Sequence, residues 1–190
     1  MRHTFKRSLT VALATLTASV VSVGLSTTGA NAATDQTQRA DNCVVNVDSG
    51  SKQCFGTFRE AIAATTDGKI TNAPLSAKHI DQKLTDRLSA ASHTTGAQAV
   101  QLGVVFRDSN YGGSAQVFEA SSGCQSGNGR DFQIDLSGSW NNAVSSLTTL
   151  SCWLELWDAP GTAGFHQEYQ QSTSYVGDAM NDRASSIAFL

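Results

Sequence analysis

The chain has 190 residues, 15% of them charged and 7% aromatic, with four cysteines and a formal net charge of −3. The acidic balance argues against nucleic acid and anionic membrane as partners, because nothing draws phosphate. A chain of this length accommodates one domain or two small ones.

Arg2, Lys6 and Arg7 precede a mostly apolar run from Leu9 to Leu25, and Ala30-Asn31-Ala32 supplies the small-x-small pattern of a cleavage site. Residues 1–32 therefore read as a secretory signal peptide, with Ala33 as the mature start. Thr10, Thr15, Thr17, Ser19 and Ser22 interrupt the run, which barely approaches the ~18 unbroken apolar residues of a membrane span. Loss of the leader takes its three basic residues and moves the formal charge from −3 to −6. The expected product is extracellular and monomeric, with no membrane contact after processing.

Cys43, Cys54, Cys124 and Cys152 all lie in the exported part. An even number in an oxidising compartment reads as two disulfides. Pairing Cys43 with Cys54 and Cys124 with Cys152 keeps each bond inside one folding unit. Zinc is disfavoured, since there is no Cys-x-x-Cys and His3, His79, His93 and His166 are scattered.

Along the mature chain, residues 33–40 are polar. Cys43 to Val47 and Lys52 to Phe55 read as the two strands of a hairpin turned by Asp48-Ser49-Gly50. Thr57 and Glu60 then form the ends of a capping box opening a short helix, which Asp67-Gly68 stops. A second helix is expected after Pro74, capped by Ser76 and carrying Ile80, Leu84 and Leu88 on one face. Residues 89–98, rich in Ala, Ser, Thr and Gly, read as a linker. The expected organisation is thus a small disulfide-clamped α/β segment and linker over 33–98, followed by a second domain over 99–190.

Beyond Gln98 the pattern changes to alternation. Val100, Leu102 and Val104, then Gln116 to Phe118, Phe132 to Leu136 and Trp153 to Trp157, read as short strands separated by Gly, Asn and Ser clusters. This spacing suits a mainly β Greek-key sandwich. Trp140, Trp153 and Trp157 all fall here and supply aromatic mass for its core.

Within this part the chain repeats a six-residue phrase: Asn141-Asn142-Ala143-Val144-Ser145-Ser146, and Asn181-Asp182-Arg183-Ala184-Ser185-Ser186. Oxygen-only donors suit a hard cation such as calcium better than zinc or copper. Upstream of each phrase a strand ends in an aromatic residue, Phe106 or Trp157, with glycine seven residues later at Gly113 or Gly164.

These residues resemble the βγ-crystallin family. Its aromatic-x4-aromatic-x-Gly signature is met by Phe106, Tyr111 and Gly113; in the second unit Trp157 and Gly164 match, and Thr162 replaces the second aromatic. Both phrases also satisfy the Asn/Asp-Asn/Asp-x-x-Ser/Thr-Ser motif of the microbial calcium-binding branch. The resemblance implies a sandwich of two Greek keys over 99–190, sharing two Ca2+ sites. Carried over by position, it implies side-chain ligands Ser145 and Ser185 and candidates Asn142, Asp182, Asn141 and Asn181. It further implies backbone carbonyls from Ala143, Arg183, Arg107 and Asp158, with Ser146 and Ser186 bracing the fold. Only Asp182 among the four Asn/Asp positions is charged, so affinity is expected in the ~10⁻⁴–10⁻³ M range of extracellular modules.

Related secreted proteins of this type include metalloproteinase inhibitors and killer-toxin-like antimicrobial proteins. The resemblance therefore adds a secreted protease or a cell-wall component as alternative partners, with Gln125 to Arg130 as a candidate inhibitory loop. Residues 33–98 are also a candidate pro-segment. An EF-hand over Asp108 to Glu119 fails because Gly112 leaves its fifth position without a side-chain ligand. No Gly-x-Ser-x-Gly elbow is present, and the chain is not expected to be an enzyme.

Overall fold

The computed structural model describes residues 41–92, 99–125 and 129–190. The leader 1–32, the stretch 33–40, most of the expected linker (93–98) and the middle of the candidate inhibitory loop (126–128) lie outside the described residues.

The chain opens with a hairpin of β1 (Asn42–Asn46) and β2 (Lys52–Phe55), in which Cys43 stands directly opposite Cys54. Those two cysteines are bonded, and so are Cys124 and Cys152. Helix α1 (Phe58–Thr65) starts where expected: Thr57 accepts from the Glu60 N–H, and the Glu60 carboxylate accepts from the Thr57 N–H. Asp67 and Gly68 take positive φ and end it.

The next helical stretch differs from expectation. Ser76 caps only a single 3-10 turn, Ala77–His79, and Ile80 is extended. A separate helix α2 (Gln82–Ser92) begins behind Asp81, whose carboxylate accepts from the Leu84 N–H at 2.8 Å. An aspartate satisfies an otherwise orphan N–H as well as serine does, so the better-placed cap splits the segment. Helix α2 also runs into the region expected to be linker.

The strands after residue 98 are β3 (Val100–Asp108), β4 (Gly112–Ala120), β5 (Phe132–Asp135), β6 (Ser146–Thr149), β7 (Leu154–Ala159), β8 (Ala163–Tyr169) and β9 (Ser186–Phe189). They form two sheets, ordered β2-β1-β4-β3-β6 and β5-β9-β7-β8. Strand β5 leaves its own unit to pair with β9, while Thr173 of the second unit bridges back to Leu147 of β6. Each unit thus lends a segment to the other's sheet.

The first sheet is covered on both faces. A register shift between Gln101 and Gly103 rephases β3, so Leu102 and Val105 join Phe118, Trp140, Leu154, Leu156 and Ile187 in the core between the sheets. Val104, Phe106, Ala115 and Val117 meet Val44, Phe58, Ile62, Leu84 and Leu88 in a second core. The N-terminal segment therefore shares both a sheet and a core with strands β3 and β4. Strand β1 pairs in parallel with β4, the Asn42 side chain accepts from the Ala115 N–H, and buried Gln101 donates to the Thr65 carbonyl at 2.6 Å.

Of the three tryptophans, Trp140 and Trp157 are buried, but Trp153 is 47% exposed and does not belong to the core. It follows Cys152 at the mouth of β7, with its N–H and carbonyl bonded to Leu190.

Glu119, on β4, accepts from the Thr65 hydroxyl. Burial pushes its carboxyl above the ordinary glutamate range, outweighing the hydrogen bonds from Thr65 and Asn46, and Asp67 adds repulsion. In the window between the ordinary and the raised value, the folded state holds a proton that the unfolded state has released. Stability contributed by Glu119 is thus present below that window and falls as pH rises through it. Glu119→Gln, which keeps an acceptor for Thr65, is expected to flatten that fall and to leave the protein more stable above it. Urea unfolding of both proteins from pH 4 to 8 checks this; parallel profiles would contradict it.

Candidate metal centre

The two oxygen-rich phrases lie against each other, and their main backbone contacts are repeated with roles exchanged. The Asn142 N–H donates to the Ala184 carbonyl at 2.9 Å, and the Asp182 N–H to the Val144 carbonyl at 3.1 Å. The Ser145 N–H donates to the Phe106 carbonyl, and the Ser185 N–H to the Trp157 carbonyl. Trp140 and Met180, each just before its phrase, and Val144 and Ala184 within it are buried. Apolar anchors on both sides of each leading Asn/Asp pair fix where its oxygens point.

Local backbone makes this possible. Asn142 and Asp182 occupy left-handed conformations, with φ of 58° and 56°. Asn and Asp enter that region more readily than most side chains. The sixth-place serines tie phrase to hairpin: Ser146 donates to the Asp108 carbonyl and accepts from the Tyr111 N–H, and Ser186 does the same with Ala159 and Thr162. The glycines of the hairpins are required at their positions. Gly113 and Gly164 have φ of 69° and 83°, and an added Cβ would come within 2.9 Å of Asp108 Oδ2 and 2.2 Å of Asp158 Oδ1.

The side chains that face each other come from different phrases. Ser145 Oγ is 3.3 Å from Asp182 Oδ1, and Ser185 Oγ is 3.2 Å from Asn142 Oδ1. Both serines are buried, 6% and 5% exposed. These spacings are long for an O–H···O bond, which prefers about 2.7–2.8 Å. They match two oxygens that share a calcium ion at about 2.3–2.6 Å each, which stand roughly 3 Å apart. The donor set fits a hard cation.

Among the other expected ligands, Arg107 and Asp158 sit where the β3–β4 and β7–β8 ladders shift register, and neither has a cross-strand partner in its ladder. There two residues of the return strand, Gly113 and Ser114 or Gly164 and Phe165, face one residue of the outgoing strand across a bulge. The carbonyls on either side are taken, by Ser145 N–H and Ser146 Oγ in one hairpin and by Ser185 N–H and Ser186 Oγ in the other. Ala143 and Arg183 come directly after the left-handed residues. Asn181 donates to Asp182 Oδ2 at 2.9 Å and orients that carboxylate, while Asn141 is exposed.

Charge is distributed unevenly. Asp182 brings a carboxylate to the Ser145 pair, whereas the Ser185 pair is neutral. Two guanidiniums lie close: Arg107 stacks over Trp140 at 5.2 Å and donates to the Ser139 carbonyl, and Arg183 pairs with Asp158 at 2.8 Å. The Arg107 charge weakens attraction for a cation, whereas that of Arg183 is largely offset by the Asp158 carboxylate. Among the described residues, no three His, Cys, Asp or Glu side chains cluster as a metal site; the two pairs are built from two hydroxyls, one amide and one carboxylate.

The missing second aromatic of the downstream unit has a local replacement. In the first unit Tyr111 meets Phe106 edge-on, with ring centroids 5.5 Å apart. In the second, His166 stacks on Trp157 at 4.0 Å and Arg130 lies over it at 4.4 Å. Buried Glu155 accepts from Arg130 Nε and Trp157 Nε1, both at 2.9 Å, and lies 3.4 Å from His166 Nε2. The sequence signal was Thr162 in place of an aromatic; the compensating residues lie up to 27 positions away from Trp157.

No protein-family model matches the chain, and no curated protein matches its sequence. Among solved structures it is similar to a double-mutant βγ-crystallin domain from Clostridium beijerinckii, at 25% identity and TM-score 0.35, over 46% of this chain and 94% of that one. A βγ-crystallin domain from Flavobacterium johnsoniae matches at 22% identity and TM-score 0.36, over 47% of this chain and 93% of that one. The N-terminal domain of protein S matches at 20% identity and TM-score 0.36, over 47% and 94%. Those scores are low, and the chain's own features carry the assignment. Its strand order, its exchanged segments and its doubled hairpin-and-loop motif make strands β3 to β9 a double Greek key.

Proposed function

We propose that this is a secreted calcium-binding protein of βγ-crystallin type, in which the ion has a structural role and the molecule acts as a binding module without catalysis. The observation that carries this is the crossed pairing of Ser145 with Asp182 and Ser185 with Asn142 at 3.2–3.3 Å. Supporting it are the positions of Arg107 and Asp158 opposite the bulges of β4 and β8, without a ladder partner; their carbonyls are the candidate backbone ligands alongside Ala143 and Arg183. Export is supported by the leader-like residues 1–32 and by two disulfides. A bound ion would hold the two phrases together and would favour only the folded state.

At free calcium about ten times Kd, binding to the folded form stabilises it by roughly 1.4 kcal/mol. For a domain of this size that corresponds to a Tm rise of about 3–6 °C. Calorimetric titration and thermal melts of the mature protein are the test, repeated with Ser145→Ala plus Ser185→Ala. We expect heat and a rise in Tm that the double variant loses; no heat and no rise up to 10 mM calcium, a limit about tenfold above the expected Kd range, would overturn the proposal. Because Asp182 serves the Ser145 pocket, Asp182→Asn is expected to weaken that pocket, while Asn142→Asp strengthens the Ser185 pocket.

A further inference from the structure

Away from the paired phrases, Trp153 presents its indole to solvent in a groove of about 590 Å³. Gln125, Thr149, Ser151, Glu168 and Gln170 line the same groove. A second lobe of about 460 Å³, lined by Arg130 and Glu155, shares Gly129 and Leu190 with it. The two hollows adjoin at those residues.

Part of the lining is tied down. The Cys124–Cys152 bond forms part of the lining, and both backbone polar groups of Trp153 are bonded to Leu190, at 3.0 and 3.1 Å. The Gln170 side chain is held by Glu168 Oε1 at 2.8 Å. A large exposed aromatic on an anchored backbone is a ready-made platform, since its side chain has few torsions to lose on binding.

The chemistry of the lining selects the ligand. An indole face wants a flat apolar surface, and the surrounding amides, hydroxyls and carboxylate want a ligand rich in both donors and acceptors. Arg130 is engaged by Glu155, so an anion finds no free cation among the described lining residues. A pyranose ring meets these demands: its C–H face stacks on indole and its hydroxyls bond the amides and carboxylate. Two adjoining hollows of about 590 and 460 Å³ offer room for several linked sugars. We propose that this groove binds an uncharged polysaccharide chain, with Trp153 as the stacking platform and Gln125, Glu168 and Gln170 as the hydroxyl-binding groups.

The test uses the mature protein and three soluble probes: hexamers of N-acetylglucosamine, of β-1,4-glucose and of β-1,3-glucose. Trp153 is the exposed tryptophan of the three, so its fluorescence and its quenching by acrylamide report occupancy directly. We expect at least one probe to shift the emission and shield it from acrylamide. Trp153→Ala should weaken that binding, measured by calorimetry, by about tenfold or more, and Trp153→Phe should retain part of it. Unaltered melting of the alanine variant would show that folding is intact. No response to any probe at 10 mM, or unchanged affinity in Trp153→Ala, would overturn the proposal.

Discussion

Truncating Phe106 to alanine is expected to lower the unfolding free energy by about 3–5 kcal/mol, the range for removing a fully buried phenylalanine. Phe106 has no solvent exposure. It stands on β3 at the contact between the first sheet and the N-terminal segment, packed in the core that holds Phe58, Ile62 and Leu88. It also meets Tyr111 edge-on, an arrangement that contributes beyond burial alone. The cavity would open beneath the candidate metal centre, because the Phe106 carbonyl accepts from the Ser145 N–H at 2.9 Å. The calcium response is therefore expected to weaken together with stability. Urea denaturation with and without calcium measures both; a loss below about 1 kcal/mol would contradict the packing described, since that is below the usual range for such truncations.

Removing the Cys124–Cys152 bond, by Cys124→Ser with Cys152→Ser, is expected to lower stability by about 3.5 kcal/mol on the chain-entropy account. The bond closes a segment with a sequence separation of 28 residues, against 11 for Cys43–Cys54. The shorter bond is worth about 3 kcal/mol on the same account, and it joins residues already opposite each other in a hairpin. We therefore expect the Cys124–Cys152 variant to melt lower than the Cys43–Cys54 variant. The reverse order in thermal melts would show that the N-terminal hairpin depends on its clamp more than on its pairing with β4.

Much of the local structure is legible in the residues themselves. Thr57 and Glu60 cap a helix because their side chains reach their own backbone, whatever packs around them. Gly113 and Gly164 mark their hairpins because a Cβ there would strike the side chain of Asp108 or Asp158. Failures came where two local signals competed or where burial was at stake. Asp81 displaced Ser76 as the cap of the longer helix. Trp153 reads as core by composition, yet its place beside a disulfide at a strand mouth turns it outward. Strands β6 and β9 escaped notice because each is four residues long and begins on a serine of the phrase.

The composition of the candidate metal centre was determined by the sequence alone: two phrases, oxygen donors only, one carboxylate among four leading positions. Which oxygens meet was decided by the tertiary structure. Nothing near Ser145 in the chain points to Asp182, 37 residues on, nor anything near Ser185 to Asn142, 43 residues back. Those contacts exist because the two Greek keys exchange segments and face each other, so that left-handed Asn142 and Asp182 each extend into the opposite unit. The only charge at these positions therefore belongs to the pocket of the other phrase's serine. Pattern within a phrase reports what it can donate; only the packing of one unit on the other assigns the recipient.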